Sequence, residues 1–283
     1  MNLDMDSLRR WIGRTEQQQD AVTHVPPQAL GATLDWPPAD WANGTELPPC
    51  WHWLFFLPRA PQSELGPDGH ARRGGFLPPV PLPRRMWAGS QLEFAAPLRV
   101  GQLIRRQSRI ADVRLKEGRG GPMVFVHVEH EIHADGQVCV RERHDLVYRD
   151  LPQPGDAAPA GQPAPADAQW TRRVVPDDVL LFRYSALTFN GHRIHYDRRY
   201  ATEVEGYPGL VVHGPLIATL LLDLLRRELP HARVVRFAFR ALRPLFDNAP
   251  FRVCGQSLDA GTVRLWAATE DGLLAMDATA TLA

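Results

Sequence analysis

The chain has 283 residues, enough for one large domain or two of ordinary size. Apolar residues make up 44% and charged residues 23%, and the formal net charge is zero. That balance supports a packed core and leaves no global field to draw in nucleic acid or an anionic membrane, so neither is an expected partner.

Nearly all the positive charge is arginine, since Lys116 is the sole lysine. Cys50, Cys139 and Cys254 are odd in number and far apart, which gives neither a disulfide framework nor a paired-cysteine metal site. The N-terminal stretch "MNLDMDSLRRWIGRTEQQQ" lacks a basic-then-apolar leader pattern, and a cytoplasmic location is expected. The longest apolar run, Leu216 to Leu225, is too short to cross a bilayer and carries Asp223.

Along the chain, the region from Trp36 to Pro83 is crowded with proline and aromatic residues. It cannot be regular helix, and it reads as ordered loop with something to cover. The stretch from Ser90 to Gly118 reads as strand. The segment "PMVFVHVEHEIHADGQVCVRERHDLVYRD" alternates apolar and polar residues around Ala134-Asp135-Gly136, which predicts a hairpin. Leu151 to Trp170 is rich in Pro, Ala and Gly and reads as a semi-extended linker. It separates a unit at 1–150 from a unit at 171–283.

The second unit opens with a predicted helix from Asp177 to Leu187, capped by Asp177. A longer helix is predicted from Gly214-Pro215, buried on most sides and ended by Pro230. Four alternating stretches follow, beginning near Arg233, Phe251, Thr262 and Leu273 and separated by Asp-Asn, Ala-Gly and Asp-Gly turns. A long helix and an antiparallel meander make an α+β layout. Phe94 to Arg106 and Phe239 to Gly255 share one plan, a strand, a Pro-Leu step and a turn into the next strand. We read this as a diverged internal duplication.

Between the two helices lies "LFRYSALTFNGHRIHYD", Leu181 to Asp197. The plain reading of such a polar cluster is a solvated surface loop. His192, His195 and Asp197 also allow a metal reading, but the irregular spacing and lack of supporting ligands argue against one, and no metal is expected. A third reading is acid/base chemistry. His195 titrates near neutral pH without special help, and Asn190 can reach the same water across the turn at Gly191. Gly214, at the tip of a buried helix, offers a backbone N–H and the positive end of the helix dipole to a carbonyl oxygen gaining charge. Base, water-orienting amide and oxyanion donor together suit reversible addition of water to an activated double bond.

At these residues the second unit resembles the MaoC-like hydratases, the hot-dog family that hydrates or dehydrates acyl thioesters. The family motif is an aspartate, four residues, a histidine, then a distal Val-His-Gly before the hot-dog helix. Asn190, His195, His213 and Gly214 stand at the matching positions. The wording is similar to one branch in particular, the mitochondrial-type 3-hydroxyacyl-thioester dehydratases and the mesaconyl-C4-CoA or itaconyl-CoA hydratases. The resemblance implies a double hot-dog, two antiparallel sheets each wrapping a long central helix, with the first unit lacking the acid/base loop. It implies a hydro-lyase with an acyl-CoA or acyl-ACP substrate and no cofactor.

Where the motif has aspartate this chain has Asn190, which cannot accept a proton. His195 alone is then expected to move protons, and the rate to fall at low pH in the ordinary histidine range. A free carboxylate on the substrate calls for a cation, and Arg183 and Arg193 flank the expected catalytic positions. Tyr184 and His213 are further candidates for contact with substrate. Three functions remain open: hydration of a branched C5 diacid enoyl-CoA to citramalyl-CoA, dehydration of 3-hydroxyacyl-ACP or -CoA in fatty acid synthesis, and non-catalytic acyl-thioester binding. A homodimer is the expected assembly.

Overall fold

Alternation decides most of the strands. The computed structural model describes residues 3–118, 121–151 and 161–283, and ten strands run through them. They are β1 (Thr15–Ala21), β2 (Arg84–Phe94), β3 (Leu103–Gly118), β4 (Gly121–Ala134), β5 (Gln137–Arg149), β6 (Trp170–Val174), β7 (Val234–Ala241), β8 (Phe251–Ser257), β9 (Thr262–Thr269) and β10 (Leu274–Leu282). The β4–β5 hairpin turns at Asp135 and Gly136, both with positive φ (50° and 79°), the backbone that two-residue hairpin loops require. β7 to β10 fall where the sequence puts the four alternating stretches. β1 and β6 do not announce themselves, because "TEQQQDA" and "WTRRV" are too polar or too short to show a buried face.

All ten strands join one antiparallel sheet in the order β1-β3-β4-β5-β2-β7-β10-β9-β8-β6. Each side of the central β2–β7 pair repeats the other, β3-β4-β5-β2 answering β8-β9-β10-β7, with β1 and β6 at the two edges. The common plan of Phe94–Arg106 and Phe239–Gly255 is the connection inside each repeat. β2 and β7 pair from Gly89–Glu93 to Arg240–Arg236. Gly89 is required there, since a Cβ would stand 2.5 Å from the Phe239 carbonyl oxygen.

The expected pair of sheets, each with its own long helix, is therefore corrected to one continuous sheet with one long helix among the described residues. That helix, α4 (Gly214–Glu228), packs on β6, β8 and β9. Every residue from Leu216 to Leu225 is buried, each large apolar side chain contributing roughly 1.5–3 kcal/mol. Asp223 is tolerated in this run because Trp36 Nε1 (2.5 Å), Arg227 Nε (3.0 Å) and Arg172 all donate to it. In the first repeat, α2 (Val25–Thr33) is only nine residues long, and the proline-rich chain after it makes short turns at Trp51–Leu54 and Gln62–Glu64. Prolines remove the donors a longer helix would need. Short α1 (Met5–Arg9) covers β3.

Of the expected linker, residues 152–160 lie outside the described residues. Gly161 to Gln169 are tied to the sheet rather than free: Pro163 bridges Leu273, and the N–H groups of Ala164 and Gln169 donate to Gly272 and Gly255 carbonyls. No helix among the described residues is long and apolar enough to cross a membrane.

Candidate active site

The helix predicted after Asp177 is α3 (Asp178–Leu187), with the Asp177 carboxylate accepting from the Leu180 N–H at 2.8 Å. The chain leaves α3 through Phe189, whose φ is +47°, and the Asn190 N–H returns to the Ser185 carbonyl at 2.8 Å. A short turn, Arg193–His195, then carries His195 inward. Val211 forms the wall behind it, and Gly214 begins α4 two residues beyond Val212.

His195 is buried, and its Nδ1 lies 2.7 Å from the Val211 carbonyl oxygen. A carbonyl only accepts, so Nδ1 carries the proton and Nε2 keeps its lone pair. His195 also stacks on His213, with ring centroids 3.7 Å apart and planes 17° from parallel. Burial pulls the His195 pKa down to about 4, against the opposing hydrogen bond to Val211. His195 is thus a neutral base at physiological pH. His213 is fully buried, takes Ser185 Oγ on Nε2 at 2.8 Å, and is held well below the histidine range by burial, then by His195 and His192. It backs His195 and does not line the cavity.

Asn190, His195 and Gly214 all line one cavity of about 2250 Å³. The Asn190 side-chain oxygen accepts the His192 N–H at 3.0 Å, which leaves its amide NH₂ without a protein partner among the described residues. Gly214 is the first residue of α4, so its N–H has no acceptor inside the helix. A Cβ there would meet only the Trp87 carbonyl, at 3.9 Å.

The other anticipated residues fall elsewhere. Arg183 is exposed on α3 and does not line the cavity. Arg193 reaches the cavity wall, but its guanidinium is committed: Nε and Nη2 hold Asp197 at 3.0 and 2.7 Å, Nη1 holds the Pro67 carbonyl at 3.0 Å, and the group lies over the Tyr200 ring. Tyr184 touches the cavity wall, yet its side chain is buried edge-on to His213 and burial raises its pKa. It packs the site rather than opening to it.

Within the proline-rich region, no residue pattern singles out the loop "GPDGH", Gly66 to His70, as the part that meets the site. Gly69, with φ of +88°, sits so close to Gly191 that a Cβ would be 1.8 Å from the Gly191 oxygen. The Arg193 N–H donates to the Asp68 carbonyl at 2.9 Å, and the His70 ring lies 4.3 Å from that of His192. The proline-rich region does cover something: it closes over the histidine turn. Asp68, His70 and His192 bring ligand-type atoms within 4.8 Å of one another, a different trio from the His192, His195 and Asp197 weighed from sequence. Asp197 instead holds Arg193 and the Tyr200 N–H. Burial lowers the His192 pKa to about 2 and that of His70 well below its ordinary value, and the Arg85 charge lowers both further. Arg85 shares a small recess with His192, and a cation there makes the trio a poor seat for a divalent metal.

A second polar group on the same cavity wall also escaped sequence reading. Glu142 on β5 is buried and accepts from His52 Nε2 (3.0 Å), Trp53 Nε1 (3.1 Å) and Ser90 Oγ (3.0 Å). His144 Nε2 stands 2.8 Å away, out of line for a hydrogen bond. Burial works to raise the Glu142 pKa, but His144 and His52 outweigh it and hold the carboxyl well below its ordinary range. The available signal was the i, i+2 pair Glu142 and His144 on one strand face.

One long helix laid on an antiparallel sheet, its open N-terminus beside a neutral buried imidazole, defines a hot-dog protein equipped for acid/base work on an acyl group. Similarity to solved structures supports the fold: a MaoC-like dehydratase from Phytophthora capsici aligns over 99% of both chains with a TM-score of 0.70 at 13% identity, and HtdX of Mycobacterium tuberculosis over 94% of this chain and 99% of that one with 0.65 at 17%. The profile of the family "hydroxyacyl-thioester dehydratase type 2" matches residues 50–247, and the chain belongs to that family. It is a hydro-lyase of the hydratase/dehydratase type. A protein of Chloroflexus aurantiacus named mesaconyl-C(4)-CoA hydratase is 50% identical over 275 residues, 96% of each chain. The mitochondrial hydroxyacyl-thioester dehydratase type 2 of Schizosaccharomyces pombe is 32% identical over 256 residues, 82% of each chain.

Proposed function

We propose that the protein hydrates a short branched enoyl-CoA diacid, with mesaconyl-C4-CoA giving citramalyl-CoA as the leading substrate and product. The observation that carries this is the His195 Nδ1 to Val211 contact, which leaves Nε2 as the free base on a cavity shared with the α4 tip. In this mechanism Asn190 donates its amide to the water. His195 Nε2 takes a water proton as oxygen bonds to the β-carbon and the C=C π electrons move toward the thioester. The Gly214 N–H and helix dipole stabilise the charge gathering on the thioester oxygen, as they do at other helix N-termini. The imidazolium then returns the proton to the α-carbon, so one histidine serves both directions. Pre-organised donors of this kind contribute on the order of 10²–10³ in rate each.

The identity to the Chloroflexus protein supports the diacid. The fungal relatives, named for dehydration, support the reverse direction on 3-hydroxyacyl thioesters as the second reading. The cavity has room for a pantetheine arm, and the carrier in this reading is CoA rather than ACP. A purely acyl-binding protein would have no use for a desolvated imidazole held in one tautomer. We further read 1–150 and 171–283 as two hot-dog units with one active site, the first unit having a shortened helix, in a cytoplasmic homodimer.

The test is the loss of thioester-conjugated double-bond absorbance with mesaconyl-C4-CoA, itaconyl-CoA and crotonyl-CoA, with products resolved by mass spectrometry. Turnover of mesaconyl-C4-CoA to citramalyl-CoA supports the reading. No turnover of any enoyl thioester refutes it.

A further inference from the structure

A carboxylate attached to the β-carbon of an enoyl thioester sits one bond from the carbon that receives water. Whatever binds it must lie next to the base, not at the distant end of the pantetheine arm where the nucleotide phosphates are. The two arginines nearest in sequence do not qualify, since Arg183 is exposed away from the cavity and Arg193 is held by Asp197 and Pro67.

β2 supplies another. Arg84 and Arg85 are neighbours on this strand, so their side chains leave on opposite faces. Arg84 is tied into a buried ion pair with Glu205 at 2.9 Å and lies over the Tyr207 ring. Arg85 lines the cavity and has no ion pair among the described residues. Three more arginines line the cavity besides Arg84, Arg85 and Arg193. Arg106 donates to Gln18 and lies over Phe56, Arg149 stands at the end of β5 across from Arg84, and Arg243 follows β7 beside Gly161. Arg85 shares a small recess with His192, and both line the main cavity together with His70; His192 in turn meets His195 edge-on at 5.5 Å between ring centroids.

We propose that Arg85, with His70 and His192 on the same cavity wall, forms the subsite that binds the free β-carboxylate of the substrate and so selects diacid over monoacid enoyl thioesters, the Asp68 carboxylate near the two rings lying off the cavity lining. This rests on the hydratase reading above and names the determinant of its substrate class. The planar guanidinium suits a carboxylate in bidentate fashion, and neutral imidazoles can add N–H donors where cations would repel a metal. The carboxylate held there presents the β-carbon to the water at Asn190 and His195. Without a carboxylate, the half-buried guanidinium keeps only solvent and its neighbour Tyr148, so crotonyl-type substrates gain nothing from it.

The experiment compares wild type with Arg85→Gln and Arg85→Lys on mesaconyl-C4-CoA and crotonyl-CoA, measured in the same preparations. Arg85→Gln is expected to lower kcat/KM for mesaconyl-C4-CoA by on the order of 10²-fold, the effect of removing a charged hydrogen-bond partner, while crotonyl-CoA changes by less than about 3-fold. Arg85→Lys should recover part of the diacid activity. Parallel losses on both substrates would overturn the inference, because they mark a structural role or a contact with the CoA phosphates that both substrates carry. Unchanged selectivity would overturn it as well. A readout independent of turnover is binding of free mesaconate and citramalate, followed by calorimetry. Binding by wild type that Arg85→Gln abolishes supports the subsite, and absence of binding to wild type counts against it. Failure of wild type on every thioester removes the hydratase reading and leaves the binding measurement to decide the subsite by itself.

Discussion

The buried state of His195 makes its acid limb a quantitative test. Its pKa of about 4, against 6.5 for a free imidazole, corresponds to about 3 kcal/mol favouring the neutral ring. If Nε2 is the base, kcat/KM is proportional to the neutral fraction. At pH 6 a ring with pKa 4 is about 99% neutral, whereas an ordinary histidine would be about 24% neutral. Activity at pH 6 should therefore equal the neutral plateau within a few per cent, and half-loss should come near pH 4, well below the ordinary histidine range expected from sequence. The His195 pKa is lowered on folding, so the unfolded chain binds more protons below about pH 6.5, and stability declines from there toward pH 4. Initial rates should be taken with brief acid exposure, with unfolding followed in parallel by circular dichroism. A reversible limb centred near 6.5 in fully folded protein would refute the assignment of the buried, desolvated His195 as the base.

Three further outcomes follow from the geometry. Asn190→Asp keeps the acceptor for the His192 N–H but removes the amide donor, so kcat should fall at least about 10-fold with unchanged thermal stability; unchanged kcat would remove the water-orienting role. Gly69→Ala places a methyl within van der Waals overlap of the Gly191 carbonyl and demands an unfavourable backbone, so the histidine turn should be displaced, with lower thermal stability and a loss of activity on the order of 10-fold or more. Glu205→Gln breaks the buried pair with Arg84 that ties β2 to the segment after the turn at Tyr200–Val204; denaturant unfolding should register roughly 3–5 kcal/mol of destabilisation.

Much of this molecule could be read from its residues. Strict alternation fixed β4, β5 and β7 to β10, and the cap at Asp177 and the Gly214-Pro215 start gave both helices of the second repeat. Composition was silent about what brings the repeats together. The β2–β7 seam depends on Gly89 lacking a Cβ, and a lone glycine in a strand carries no label saying which neighbour it admits. The histidine turn was visible because Asn190 and His195 are close in the chain. The loop that seats against it comes from 66–70, more than a hundred residues earlier, and what joins them, the Gly69–Gly191 approach and the bonds from Arg193 to Asp68 and Pro67 carbonyls, is tertiary. Arg183 and Arg193 illustrate the same limit: sequence proximity to His195 put them near the site, while helix facing and a competing Asp197 took them out of play. His213 was legible as part of the motif but not as a buried ring stacked behind the base.

Catalysis turns on one imidazole nitrogen. Steady-state hydration of mesaconyl-C4-CoA by wild type and His195→Gln, with folding of both checked by circular dichroism, measures it most directly. The expected result is a folded variant whose kcat falls by roughly 10²–10⁴ with KM little changed. A folded His195→Gln enzyme that retains kcat within a few-fold of wild type would contradict the role of His195 as the base.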